Sequence, residues 1–199
     1  MGLLRKEPEE RKAEILQMAH KMFVERGFAK VSLQQIADEL NITKGALFYH
    51  FKTKEEIFVT LFRTGLTPLI KFFEKTQSSN DSAIQKLQNC IDYFLGTMIP
   101  LGTEQYSFMR NTWNILSSEC ENLKKMTINP FHEKIIVQGI AENTIHLPIN
   151  DPKKYSIYLT RFFTMVWDTV IDVKPEEIRS DLMIPSIEQL LGIQQGTLK

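Results

Sequence analysis

Cysteine is nearly absent from this chain. Cys90 and Cys120 are the only two in 199 residues, and neither has a Cys or His partner at metal-ligand spacing. A disulfide framework and a structural metal site are therefore not expected, and both thiols read as reduced core residues. Glycine and proline are also scarce, at 9 and 8 residues, and with 43% hydrophobic content the composition is that of an ordinary folded protein rather than a disordered one. No long apolar run stands out: the best stretch, 155–171, is interrupted by Arg161 and Asp168. The opening Met1-Gly2-Leu3-Leu4-Arg5-Lys6-Glu7 turns charged too soon for a secretory signal, and Lys6 occupies the place where myristoylation needs Ser or Thr. A cytoplasmic location with no membrane partner is expected, so the formal glycosylation match Asn41-Ile42-Thr43 is taken as chance. An excess of one charge is missing too. The 24 basic and 24 acidic residues cancel, which argues against a protein that coats nucleic acid without regard to sequence. Residues 1–63 hold 11 basic and 9 acidic side chains, so charge alone points to no partner. Finally, there is no nucleophile–base pairing and no phosphate loop, and neither an enzyme nor a cofactor is expected.

What the chain does contain is helical periodicity. Ile15, Ala19, Met22 and Phe23 lie on one face of a first helix that Gly27 should stop. Ser32-Leu33-Gln34-Gln35 has the form of a capping box opening a short second helix to about Leu40, Thr43 can cap a third, and Thr53-Lys54-Glu55-Glu56 is a second box. That box predicts a long fourth helix from Thr53 to about Lys75, bending at Gly65 and Pro68 as a hinge, with two separate helices meeting there as the alternative. Past the polar break Ser78-Ser79-Asn80-Asp81, helix-type segments are predicted near 82–99, 104–125, 130–145, 153–172 and 175–193. Pro100-Leu101-Gly102, Ile128-Asn129-Pro130, Leu147 to Pro152 and Lys174-Pro175 should separate them. The predicted class is all-α: a three-helix N-terminal domain over 1–53, joined by the fourth helix to a helical domain over 54–199, with about nine helices in all.

One constellation carries chemistry. Ile36, Ala37, Leu40, Ile42 and Leu47 place apolar side chains on the facing sides of two short helices, with the small Ala37 where they come closest and Asn41 where the turn needs positive φ. This is helix-turn-helix patterning, whose second helix enters the DNA major groove.

The ordered residues Ile15-Leu16 through Phe23, Gly27-Phe28, Ser32 to Ala37, Ile42-Thr43-Lys44-Gly45-Ala46-Leu47-Phe48-Tyr49-His50-Phe51 and Lys54-Glu55-Glu56 resemble the TetR/AcrR family of bacterial regulators over about residues 9–62. The chain departs from that pattern at Asn41, usually Gly, at Val31, usually Thr, and at Ala46, often Thr or Ser. The last two departures remove hydroxyls from the DNA side. The resemblance implies that Ser32, Thr43, Tyr49, His50 and Lys54 contact phosphates of double-stranded DNA while Gln34, Lys44, Gly45 and Ala46 face base edges. Hydroxyls, helix N-terminal amides and an ammonium suit phosphate oxygens, and Gly45 permits close backbone approach. Phe48 and Phe51 read as core.

The resemblance further implies a C-terminal domain for dimerisation and effector binding. Phe94, Met98, Phe108, Met109, Trp113, Met126, Phe162, Met165 and Trp167 are candidates for the lining of a pocket for a small hydrophobic or aromatic effector, because flexible thioethers and flat rings make adaptable cavities. Ordinary core packing is the alternative for each. Tyr158, Val166, Val170, Ile178, Leu182 and Leu191 are candidates for a four-helix interface in a homodimer, with burial inside one protomer as the alternative. The function implied is a ligand-responsive repressor on an inverted-repeat operator; a regulator that acts through a protein partner is the other possibility. His20, His132 and His146 are assigned no role beyond structure or solvent exposure.

Overall fold

A computed structural model describes residues 7–99, 112, 114–169 and 175–199; the side chains of Met98, Asp168, Thr169 and Pro175 are not described. The described chain falls into two compact units, one comprising 7–68 with 112 and 114–117, the other 69–99, 118–169 and 175–199.

In the first unit, local chemistry sets each boundary. Helix α1 (Pro8–Arg26) begins with Pro8 in its first turn, where a missing amide costs nothing. Glu9 and Glu10 stand at its positive end and Arg26 at its negative end. Its buried face is Ile15, Ala19, Met22 and Phe23. Gly27, with φ 84°, ends it, and a single 3-10 turn, Phe28–Lys30, leads on. Helix α2 (Leu33–Glu39) opens on a full capping box: the Ser32 hydroxyl accepts from the Gln35 amide, and the Gln35 side chain accepts from the Ser32 amide at 2.8 Å. Asn41 takes φ 52° in the turn, as expected. Helix α3 (Lys44–His50) is capped by Thr43, whose Oγ1 accepts from the Ala46 amide at 3.1 Å.

Helix α4 (Lys54–Gly65) is capped by Thr53, but here Glu56 reaches past the cap to accept from the Lys52 amide at 2.8 Å. The core beneath these helices holds Ile36, Ala37, Leu47, Phe51, Ile57 and Phe58 against the α1 face. Phe23, Phe28 and Phe58 form a ring cluster with centroids 5.1–6.1 Å apart.

Of the two readings of the stretch from Thr53 to about Lys75, one bent helix or two helices that meet, the structure shows two. Helix α4 ends at Gly65, and α5 (Thr67–Ser78) starts afresh after Leu66. Pro68 explains the break. Inside a continuous helix it would lack an amide donor and collide with the Thr64 carbonyl, at about 3 kcal/mol or more. As the second residue of a new helix its missing donor is not called on, and no preceding turn stands in the way of its ring.

The second unit contains most of α5, then α6 (Ala83–Tyr93), which runs into a π-helical turn, Phe94–Met98. Of helix α7 (114–123), residues 118–123 lie in this unit and continue without interruption through a second π turn, Lys124–Ile128, into α8 (Asn129–Ala141). The break expected at Ile128-Asn129-Pro130 is therefore absent. Pro130 sits in the first turn of α8, where its missing amide is tolerated, and the wider π turn ahead of it absorbs the change in hydrogen-bond register. Helix α9 (Pro152–Thr169) follows, then α10 (Pro175–Glu177), a third π turn, Ile178–Met183, and α11 (Ile184–Leu191). Helix α8 packs between α6 and α9. Leu87 and Ile91 of α6, Ile135 and Ile136 of α8, and Leu159 and Val166 of α9 are all buried. Among the described residues there is no strand, no cluster of metal-ligating side chains, and no helix long and apolar enough to cross a membrane.

Candidate nucleic-acid interface

The helix-turn-helix is built from the inside out. Ile36, Ala37 and Leu47 are fully buried, and Leu40 and Ile42 border the turn between the two helices. The opposite face of the same two helices then projects Ser32, Gln34, Thr43, Lys44, Gly45, Ala46 and Tyr49, all exposed. Tyr49, a large aromatic, is 74% exposed. An aromatic ring held so far into solvent has no packing reason to be there, whereas a phenolic hydroxyl beside a phosphate does. His50 meets the Tyr49 ring edge-on at 5.0 Å.

Lys44 lies over the half-buried Phe48 ring at 5.3 Å, and Phe51 is core, as expected. Gln34 donates to Asp38 Oδ1 at 2.7 Å. Gly45 shows no internal need to be glycine: its φ is not positive, and the nearest atom to a Cβ placed there is Thr43 Oγ1 at 3.9 Å. In a helix it still costs roughly 1 kcal/mol relative to Ala. Close approach of something outside the chain supplies a reason that the fold does not.

Lys54 is employed differently from what the sequence suggests. Its ammonium donates to the Phe28 carbonyl at 3.0 Å and the Val31 carbonyl at 3.1 Å, with the Ala29 carbonyl at 3.4 Å, and it sits 4.5 Å from the centre of the Phe28 ring. An ammonium has three protons, and two carbonyls of the 3-10 turn and that of Val31 just after it receive them. We expect Lys54→Met, which keeps the stem but loses the donors, to destabilise the first unit by about 1–3 kcal/mol while leaving the salt dependence of DNA binding unchanged. Denaturation together with a salt titration of DNA affinity checks this; a slope reduced by about one would return Lys54 to the phosphates. Lys52, which carries no signal in the sequence, also works on the scaffold, donating from Nζ to the Phe48 carbonyl at 2.6 Å.

The structure divides the candidate effector residues. Phe94 and Trp167 share an aromatic cluster with Phe163, and Phe162 touches Phe163. Met126 is 72% exposed and Met165 48% exposed, so neither stands in an interior cavity. Helical spacing marks an apolar face without saying what covers it, and both of these side chains stand largely in the open. Phe108, Met109 and Trp113 lie outside the described residues, as does the Met98 side chain.

A similar correction applies to the dimer candidates. Val166, Ile178 and Leu191 are at most 2% exposed, buried inside the protomer and out of a partner's reach. Tyr158 is 40% exposed and Leu182 half-buried, while Val170 is outside the described residues. Sequence reasoning assigns His132 no role, yet it is buried with its Nδ1 2.9 Å from Thr160 Oγ1. Its position beside Phe131 in an apolar helix is the available signal.

Comparison with known proteins agrees with this geometry. Residues 15–61 match the family model described as bacterial regulatory proteins, tetR family. An HTH-type transcriptional regulator of Staphylococcus aureus (strain USA300) is 33% identical over 92 residues, 46% of this chain and 50% of that protein. The chain thus spans about half the length of the curated relatives it matches. Among solved structures, a TetR transcription regulator from Haloarcula marismortui superposes with TM-score 0.68 at 16% identity, covering 94% of this chain and 100% of the other. The SmeT–triclosan complex superposes with TM-score 0.66 at 18% identity, covering 96% and 95%. A TetR/AcrR regulator from Thermobifida fusca gives 0.64 at 18%, covering 93% and 99%. At such identities the solved structures establish the fold alone, while residues 15–61, which hold the helix-turn-helix, match the tetR family of bacterial regulatory proteins.

Proposed function

We propose that the chain is a repressor that binds an inverted-repeat operator as a homodimer and is released by a small, largely apolar effector. The observation that carries the DNA reading is the outward face of α2 and α3, where Thr43, Lys44, Gly45, Ala46 and Tyr49 are exposed together above a fully buried Ile36–Ala37–Leu47 core. Ser32, Thr43, Tyr49 and His50 position the protein on phosphates, and Gln34, Lys44, Gly45 and Ala46 read base edges. One reading helix covers only a few base pairs, so a two-fold axis is the economical way to lengthen the site. The aromatic interior of the second unit, and the description of SmeT as a complex with triclosan, support a small-molecule effector.

Footprinting of the purified protein on genomic fragments should show protection over two related half-sites, and sedimentation should show a dimer on them. A monomer holding one asymmetric half-site tightly would reject the reading. Affinity should fall steeply with salt, since phosphate contacts release counterions. Tyr49→Phe is expected to weaken every sequence by a similar factor, while Lys44→Ala changes the order of preference among half-sites; selection of binding sites from random DNA measures both.

A further inference from the structure

Asp38 is an exposed carboxylate placed against two electrostatic preferences. It stands in the last turn of α2, at the negative end of that helix, where a cation would be favoured. It also belongs to the motif that, on the reading above, meets the phosphates of DNA, which repel a negative charge. The cation near this end of α2 is engaged elsewhere, since Arg26 pairs with the neighbouring Glu39 at 2.6 Å. What Asp38 holds is Gln34, whose Nε2 donates to Oδ1 at 2.7 Å across one turn of the helix. On an exposed helix surface such a pair adds little stability by itself.

The contact does fix how the amide faces. A carboxylate only accepts, so the atom that Gln34 turns toward it is the nitrogen and not the oxygen. A side-chain amide carries two N–H donors and one carbonyl oxygen, and with one N–H held, one donor and one acceptor are left. In the major groove adenine presents the complement, an N7 acceptor beside an N6–H donor, whereas guanine presents two acceptors, N7 and O6. Turned toward guanine, the restrained amide sets its oxygen against another acceptor. An unrestrained glutamine can swing its oxygen away and offer N–H groups to guanine instead.

We infer that Asp38 is a positioning residue for base recognition: by holding one N–H of Gln34, it keeps the amide in the donor–acceptor form that selects adenine over guanine at one position of each half-site. The inference rests on the reading of α2 and α3 as the DNA-binding face, with Gln34 toward base edges, and adds which base Gln34 reads. Asp38 acts through Gln34 and touches no base itself.

Selection of binding sites from random duplexes identifies the half-site, and Gln34→Ala marks the position that Gln34 reads as the one whose preference is lost. At that position the wild type is expected to favour adenine over guanine about tenfold. Asp38→Ala should narrow the ratio to about twofold to threefold, and Asp38→Glu, which keeps a carboxylate acceptor, should preserve most of it. Asp38→Ala should also strengthen binding to every sequence, because a negative charge is lost. A carboxylate with a purely electrostatic or structural role would shift all sequences together and leave the ratio alone. Both positions are exposed and alanine is the best helix former, so neither alanine variant removes core packing. The inference is overturned if no position responds to Gln34→Ala, if the responding position does not favour adenine, or if the ratio there survives Asp38→Ala. It is overturned as well if Asp38→Ala alters preference at a different position, as expected of a carboxylate that accepts directly from cytosine. Each of these results leaves the DNA-binding face standing. A wild type that selects no sequence at all rejects that face, and the inference with it.

Discussion

Gly192→Ala is expected to destabilise the second unit by about 3–5 kcal/mol, seen as a large fall in the midpoint of urea or thermal unfolding. Two costs coincide at this residue. Gly192 ends α11 with φ 60° and ψ 34°, a left-handed conformation that costs a residue with a Cβ about 1–2 kcal/mol. A Cβ added there would also be driven directly onto the carbonyl oxygen of His146. That oxygen belongs to backbone that cannot swing aside like a side-chain tip, because the His146 amide donates to the Leu191 carbonyl at 3.0 Å, beside the same glycine. Gly196 separates the two effects. It has φ 80°, but the position a methyl group would take there is open space, so Gly196→Ala should cost only the conformational part, about 1–2 kcal/mol. Equal losses in the two variants would show that the His146 contact relaxes without cost.

The second large effect is acid sensitivity through His132. Burial holds its pKa at about 3 in the fold, against 6.5 for a free imidazole. Below pH 6.5 the unfolded chain therefore takes up a proton that the folded chain refuses, and stability falls as the pH drops from 6.5 toward 3. Each pH unit in that window is worth about 1.4 kcal/mol, so at about pH 4.5 the loss from this residue alone is about 2–3 kcal/mol. His132→Gln cannot titrate and should flatten the stability curve of the second unit across the window, even if it lowers stability at about pH 7. Carboxylates contribute equally to both proteins and cancel in the difference. Parallel curves for wild type and variant between about pH 6.5 and 4.5 would show that the folded state accommodates the imidazolium.

The largest steps of the first unit were legible because they are local. Ser32 with Gln35, Thr43 with Ala46 and Thr53 with Glu56 are cap contacts three residues apart, and the side chains that make them are sufficient to identify them. Asn41 at φ 52° is likewise a property of one residue in a turn of known type. Lys54 was not legible in the same way. A lysine opening a helix looks the same whether its ammonium faces a phosphate or carbonyls 23 to 26 residues earlier in the chain, and only the folded path of Phe28–Val31 brings those oxygens under it.

In the second unit the sequence by itself determined that the chain is helical and which faces of its helices are apolar, because 3.6-residue periodicity is a property of the strip of side chains alone. What covers each face was decided by the tertiary structure. Val166, Ile178 and Leu191 carry the same signal as Met126 and Met165, yet the first three are sealed inside and the last two stand in the open. The pairing of His132 with Thr160, 28 residues apart, and the meeting of Gly192 with the His146 carbonyl follow the same rule. Such contacts join residues whose separation along the chain says nothing of their distance in space, so no local pattern could announce them.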